Sequence, residues 1–266
     1  MSLGKIVLIT GANTGIGYQI VRALCASTSK YNIILSGRSL DKVNRAVADA
    51  KAEFPSSPSQ LEPLQVDIEH DDSILKAFEA VKSKYGKIDA LVNNAGAQLD
   101  GQFISGKISE REMWQNSWNV NTSGTQVMTS TFAPLLILSS DPRLLFITSG
   151  TSTISGTEDM NMHFNKSPDA GWPKTGFQIT AYRSAKAGLN MMMREWYRIL
   201  KNDGVKVWAI SPGFLATGLG MGNPEALKKM GAQDPEIAGP FIRDVLEGGR
   251  DKDAGKVLTS NGIQDW

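Results

Sequence analysis

Short apolar runs alternate with amphipathic stretches along most of the chain. Residues 5–10, 32–36, 61–66, 90–93, 143–148 and 206–210 each read as strands, being short, largely apolar and bounded by turn residues. Between them, apolar positions recur at helical spacing over residues 18–24, 40–54, 71–85, 109–138 and 182–203, with Pro134 expected to bend or end the fourth of these helices. Strand and helix in strict alternation imply an α/β fold: a doubly wound parallel sheet with helices on both faces and right-handed crossovers. Ligands in such sheets bind beyond the carboxyl ends of the strands. Gly11, Gly37, Asn93, Ser149 and Pro212 all stand just after predicted strands.

Composition narrows the classes without naming one. A chain of 266 residues suits one large domain, and 41% hydrophobic with 21% charged residues is ordinary for a globular protein. A net charge of +1 gives no broad attraction to nucleic acid. No run of about 18 apolar residues exists, so no membrane span is expected. The first residues run straight into strand one, which leaves no room for a signal peptide, and a cytoplasmic location is expected. The single cysteine, Cys25, excludes an internal disulfide and is expected to pack in the core. His70 and His163 lie far apart without cysteine partners, so no metal site is expected. The Pro55-Ser-Ser-Pro-Ser59 stretch reads as a surface loop.

The first turn carries chemistry. Gly11-Ala-Asn-Thr-Gly15-Ile-Gly17 links strand one to an amphipathic segment. Glycines at 11, 15 and 17 let the backbone turn tightly and approach a pyrophosphate, with helix N–H groups facing the anion. The spacing is GxxxGxG rather than GxGxxG, and no Lys-Ser/Thr follows as in a P-loop. After strand two, where an acid usually holds the adenosine ribose 2′-OH, the chain has Gly37 and then Arg38. A guanidinium grips a 2′-phosphate through paired hydrogen bonds, and the missing carboxylate removes a repulsion. Arg38 therefore points to NADP(H) rather than NAD.

Tyr182 and Lys186 stand four residues apart on one predicted helix, hence on one face. A free tyrosine titrates near ~10. A fixed positive neighbour favours the phenolate, and lowering the phenol to near neutrality takes about 4 kcal/mol. A lysine together with an oxidised nicotinamide ring is a plausible source of that energy. Alone, the spacing better fits a surface tyrosine beside a solvated lysine.

Taken together, these motifs closely resemble the short-chain dehydrogenase/reductase family, in its branch of single-domain Rossmann-fold chains, and among them the NADPH-dependent carbonyl reductases. Thr10 to Gly17 matches TGxxxGIG, so the resemblance implies cofactor contacts from Gly11, Asn13, Thr14, Gly15, Ile16 and Gly17. Asp67, with Ile68, matches the acid that meets the adenine. Asn93-Asn94-Ala95-Gly96 matches NNAG, which implies that Asn93, Ala95 and Gly96 border the cofactor. Pro212, Gly213 and Thr217 match PGxxxT, near the nicotinamide. Asn121, Ser149, Tyr182 and Lys186 match the catalytic tetrad, with Tyr182 and Lys186 also touching cofactor. The resemblance implies NADPH-dependent reduction of a ketone or aldehyde. Its alternatives are imine reduction or a cofactor-assisted cyclisation on the same groups, or a non-catalytic NADP sensor. The partner implied is a small carbonyl compound.

The chain departs from the family pattern in one place. Ser149 and Tyr182 are 33 positions apart, far more than is usual in this branch. The extra stretch, about 157–177, contains Met160, Met162, His163, Phe164, Trp172, Pro173 and Phe177. Such a loop is expected to cap the substrate and to obstruct the helix-packed dimer other members form, so monomer or homo-oligomer stays open. His163 is expected to face solvent. Phe214, Leu215, Leu219 and Met221, among glycines 218, 220 and 222, read as an apolar flap, and Gln98 as a pocket residue. A bulky apolar substrate is expected.

Overall fold

The computed structural model describes residues 4–174, 178–219 and 223–266. Six strands lie where the apolar runs place them: β1 (Lys5–Ile9), β2 (Tyr31–Gly37), β3 (Gln60–Gln65), β4 (Ala90–Asn93), β5 (Arg143–Ile147) and β6 (Lys206–Ile210). Between them run α1 (Gly15–Cys25), α2 (Leu40–Glu53), α3 (Asp71–Tyr85), α4 (Asp100–Ile104), α5 (Glu110–Trp118), α6 (Thr125–Leu136) and α7 (Thr180–Ile199). Helices α8 (Pro224–Lys229) and α9 (Ala238–Glu247) and strands β7 (Val257–Thr259) and β8 (Gly262–Gln264) complete the chain.

The sheet order is β3-β2-β1-β4-β5-β6-β7-β8, parallel except for the final β7–β8 hairpin. Strand order reverses between β1 and β4, the switch point where a crevice opens at the carboxyl ends. Successive residues on each strand face opposite sides. Val7, Ile9, Ile33, Leu35, Leu145, Ile147, Trp208 and Ile210 join α1, α2 and α9 in one core. Ile6, Leu8, Ile34, Leu144, Phe146, Val207 and Ala209 join α3, α6 and α7 in the other. Every one of these side chains is almost wholly out of water. At about 25 cal/mol per Å² of apolar surface, these two cores supply the main driving force for folding. Cys25 packs in the first core, and burial pushes its thiol up to about 11. Pro63, which cannot donate to a ladder, sits on β3 at the sheet edge, the one place that tolerates it.

The structure corrects one predicted helix. Residues 109–138 are not continuous: α5 ends at Trp118, a π-helical turn spans Asn119–Gly124, and α6 follows. Ser109 caps α5 with a capping box to Glu112, as a start at 109 requires. The wide turn swings Asn121 inward, and its Nδ2 donates to the Ser117 carbonyl oxygen at 2.8 Å. Gly124 allows the close approach, because a Cβ there would strike the Ile68 carbonyl. Pro134 lies within the last turn of α6, and Ser130, whose carbonyl it leaves without a helical donor, is an exposed residue. Helices α4, α8 and α9 and the β7–β8 hairpin fall outside the strand and helix pattern drawn from periodicity. The shorter of them bury too few residues to show a period.

Among the described residues no helix is long and apolar enough to cross a membrane. Nor do they hold a cluster of three or more histidine, cysteine or acidic side chains that could bind a metal.

Candidate active site

A cleft of about 460 Å³ opens at the switch point. Its floor is the glycine turn. Gly11 and Gly15 take φ of 62° and 56°, conformations that L side chains rarely adopt. A Cβ on Gly17 would sit 2.5 Å from Asn94 Nδ2 and 2.6 Å from the Gly11 carbonyl oxygen. Thr10 and Asn94 lock this turn to the end of β4. Thr10 Oγ1 accepts the Asn94 and Ala95 N–H groups at 2.9 and 3.0 Å, and Asn94 Nδ2 donates to the Thr10 carbonyl oxygen at 2.7 Å. The first turn of α1 contains no acid, so its N–H groups face the cleft uncompensated.

Of the residues matched to a cofactor role, Gly11, Asn13, Thr14, Gly15, Ile16, Arg38, Asp67, Ile68, Ala95, Gly96, Tyr182, Lys186 and Thr217 all line this cleft. Gly17, Asn93, Pro212 and Gly213 do not. Asn93 turns into the core, where Nδ2 donates to Thr129 Oγ1 at 2.9 Å, and it is its neighbour Asn94 that lines the cleft. The strand's alternation decides this, since adjacent residues point to opposite faces. Gly17 acts from beneath, and Gly213, at φ 99°, turns the chain after β6 toward Thr217. A side chain at Gly37 would press on Asn13 Oδ1, 2.7 Å from the Cβ position.

The structure adds Lys42 beside Arg38 on the cleft wall. Both are exposed, and neither is in an ion pair among the described residues. The signal was present in the sequence, because Arg38 and Lys42 are four apart where α2 begins.

At the opposite end stand the tetrad residues. Lys186 is 4% exposed, and its Nζ donates to the Ile147 carbonyl oxygen at 2.8 Å. Nζ lies 5.9 Å from the centroid of the Tyr182 ring. Asn121 is fully buried; Oδ1 accepts the Ala97 N–H at 3.2 Å and Nδ2 donates to the Ala97 carbonyl oxygen at 2.7 Å. Gly96 makes room for both side chains, because a Cβ there would be 2.8 Å from Asn121 Oδ1 and 3.3 Å from Lys186 Nζ. Ser149 lies on the loop after β5, outside the cleft lining. Its Oγ accepts the Thr151 N–H at 3.1 Å, and its hydroxyl favours the ionised form of the Tyr182 phenol.

The electrostatics differ from the simple tyrosine–lysine expectation. Burial pushes the Tyr182 phenol up to about 12; the Ser149 hydroxyl works against that rise, and Asp100 adds to it. Burial also drops Lys186 to about 8. Desolvation penalises whichever form is charged, so the phenolate and the ammonium both become harder to hold. In the protein alone, the lysine's attraction does not overcome that cost.

The stretch from 157 to 174 carries a 3₁₀ turn at His163–Asn165, with Met160, Met162 and Trp172 exposed. Arg183, next to Tyr182 on α7, anchors it: the guanidinium lies 5.3 Å from the Phe164 ring centroid and donates to the Phe164 carbonyl oxygen and, at 2.9 Å, to Asn165 Oδ1. Phe177, Met221 and the glycines at 220 and 222 lie outside the described residues, as does the side chain of His163. Leu219 lines the cleft, whereas Leu215 is buried in the first core; Phe214 is exposed. Gln98 does not line the cleft.

A family model described as short chain dehydrogenase matches residues 5–160 and 169–228, with the break falling inside the extra stretch. Two curated relatives are similar along nearly their whole length. The short-chain dehydrogenase/reductase eupG of a Phoma species is 43% identical, covering 98% of this chain and 97% of its own. The short-chain dehydrogenase/reductase tropE of Talaromyces stipitatus is 40% identical, covering 97% and 96%. Among solved structures, an NADPH-bound carbonyl reductase from chicken fatty liver superposes with a TM-score of 0.80 at 20% identity over the full length of both chains. That last likeness shows the fold. A model matched over most of the chain and relatives at 40% identity or more show the family: the chain belongs to the short-chain dehydrogenases, as an oxidoreductase of that family.

Proposed function

We propose that this protein is an NADPH-dependent reductase that delivers hydride to the carbonyl carbon of a bulky, apolar ketone or aldehyde. One observation carries the reading. A single cleft has two cations, Arg38 and Lys42, outside any ion pair among the described residues at one end and the buried Tyr182–Lys186–Asn121 group at the other, with a glycine cradle between them. The cradle fits a dinucleotide, since a Cβ at Gly11 or Gly17 would strike the chain's own Asn94 and force open the tight turn whose helix N–H groups would face the pyrophosphate. Arg38 and Lys42 suit a 2′-phosphate, and no carboxylate follows β2 to repel it. The chicken protein of like fold is NADPH-bound, which agrees with this choice.

When bound, the reduced nicotinamide supplies the hydride. The chain's own groups then handle the developing alkoxide. Tyr182 Oη gives its proton to the carbonyl oxygen as general acid, and its raised pKa keeps that proton in place beforehand. Ser149 Oγ donates a hydrogen bond to the same oxygen, an effect typically worth 10²–10³ in rate, roughly 3–4 kcal/mol. Lys186 is held by Ile147 near the phenol, where its ammonium favours the phenolate left after transfer and would hold the cofactor ribose when it is bound. Asn121, beside Gly96 and Lys186, stands where a relay returns a proton to the tyrosine.

Ile154, Met160 and Met162 are exposed on the segment that leaves Ser149, and Phe214 is exposed after β6. These apolar surfaces, on the segment leading from Ser149 and on the loop after β6, favour a bulky substrate. The test is NADPH oxidation, with NADH alongside, against small, aromatic and bulky cyclic ketones. We expect turnover with NADPH on the larger ketones and none in Tyr182→Phe, which should still bind NADPH. Turnover retained in that variant removes Tyr182 from the acid role. Tight NADPH binding with no ketone reduced overturns the carbonyl reading.

A further inference from the structure

Helix α7 brings the proposed acid to the site, yet its own sequence supplies no cap. Ile179 holds the cap position and has no side-chain oxygen to offer. The first N–H groups of a helix have no acceptor within it. Asp100, the first residue of α4, meets that need from a distant part of the chain: Oδ1 accepts the Ala181 N–H at 3.0 Å. The N–H groups of Tyr182 and of Asp100 itself also face the carboxylate. Asp100 is 1% exposed, and Oδ2 has no hydrogen-bond partner of its own among the described residues. A buried acceptor left without a partner is costly, and more so when charged, so burial raises the Asp100 carboxyl above its ordinary value while the facing N–H groups work against that rise. A neutral asparagine would offer α7 the same capping oxygen without a buried charge, so capping alone does not account for an acid here.

We infer that Asp100 is a positioning residue for Tyr182: it fixes the first turn of α7 from a distant part of the chain, and its buried charge opposes a phenolate at that turn, which holds back alcohol oxidation at pH values below the phenol's titration. The inference rests on the reductase reading above.

The charged surroundings support this assignment. Tyr182 is the third residue of α7, one position beyond the N–H that Asp100 caps. From α4 the facing charge is Asp100, and from α7 it is Lys186, whose Nζ is committed to the carbonyl of Ile147 on β5. Arg183 turns away to the carbonyl oxygens of Thr151 and Phe164. On α5, Glu112 is engaged by Ser109, while Glu110 and Arg111 are exposed. The loop after β5 contributes only the Ser149 hydroxyl.

The experiment uses the whole protein saturated with NADP⁺. The phenolate absorbance of Tyr182 is titrated as the difference between each protein and its Tyr182→Phe counterpart, so the reading does not depend on turnover. Alcohol oxidation is followed alongside, using the product of whichever ketone the wild type reduces. Asp100→Asn keeps the capping oxygen and removes the charge; Asp100→Ser is a second neutral cap. We expect the phenol to titrate lower by about one pH unit in Asp100→Asn. The acid limb of oxidation should move down equally, raising oxidation below that limb by about tenfold. A phenol that titrates as in the wild type makes Asp100 a cap and nothing more, which overturns the inference. Failure of both neutral variants to fold also overturns it, because the charge must be dispensable for capping. A titration shift without ketone turnover by the wild type would sink the reductase reading and leave the Asp100–Tyr182 coupling standing.

Discussion

Lys186 Nζ stands 5.9 Å from the centroid of the Tyr182 ring while donating to the Ile147 carbonyl oxygen at 2.8 Å. Burial separates the two groups in proton affinity, with the lysine lowered to about 8 and the phenol raised to about 12. The ammonium is therefore held at a cost to folding at neutral pH, an arrangement found where function outweighs stability, whereas the neutral phenol bears such a cost only above pH 10.

Lys186→Met should abolish turnover and yet stabilise the cofactor-free fold at pH 7. The expected gain is about 1 kcal/mol, as relief of the buried charge is offset by the lost bond to Ile147. The lysine's folded value of about 8 lies below its free value near ~10.4. Between these values the unfolded chain binds more protons, so the wild type gains stability as pH rises. The advantage of the methionine variant should then shrink from pH 8 to pH 10, as read by thermal melts. A gap that ignores pH would contradict the buried-ammonium account. Tyr182 acts in the opposite sense above pH 10, where its raised value makes stability fall as pH climbs toward 12.

Arg38 and Lys42 should divide the selectivity for NADPH between them. Charge-assisted hydrogen bonds contribute about 1.5–3 kcal/mol each, so Arg38→Ala is expected to weaken NADPH binding by ten- to a hundredfold. Lys42→Ala should fall at the lower end, being a point charge rather than a fork. Affinity for NADH should hardly change in either variant. Equal losses for both cofactors, measured by fluorescence titration, would move the 2′-phosphate elsewhere.

Arg183→Ala should loosen the stretch from 157 to 174. Its bonds to Phe164 and Asn165 tie that stretch to α7. Losing about 1–2 kcal/mol of local stability should speed proteolysis there by roughly tenfold. KM for a bulky ketone should rise more than KM for a small one. An unchanged cleavage rate would show that the segment is held by other contacts.

At the far end of the sheet, the guanidinium of Arg143, 4% exposed, pairs with Asp141 and Asp251, and Lys206 bridges the same two acids. Burial works to raise both carboxyls, but hydrogen bonds from the cations outweigh it and hold them below the usual range. Depressed acids stabilise the fold above their free values near ~3.9, and that contribution is lost as pH falls through the folded values. Arg143→Met should cost about 2–3 kcal/mol at pH 7, tempered because the carboxylates keep part of their surface in water. Its penalty should shrink toward pH 3. Melts that show the same deficit at both pH values would argue against an ion-pair origin.

Much of this protein is written locally. Gly11, Gly15 and Gly17 are legible because a tight turn excludes side chains, and Tyr182 with Lys186 because a helix brings residues four apart onto one face. The strands of both cores follow from runs of apolar residues, so a parallel sheet with its site beyond the carboxyl ends could be drawn in advance, while the strand order that puts β1 beside β4 came from the assembled sheet. Other features depend on residues far apart in the chain. Asp100 reaches a helix 81 positions away. Which of Asn93 and Asn94 faces the cleft depends on the phase of β4 in the assembled sheet, and the inward turn of Asn121 depends on a π-helical step packed against Ile68. The direction of the shifts at Tyr182 and Lys186 was set by burial, which no spacing of residues reveals. Charge at a site is fixed by what surrounds it, and only the folded chain brings those surroundings together.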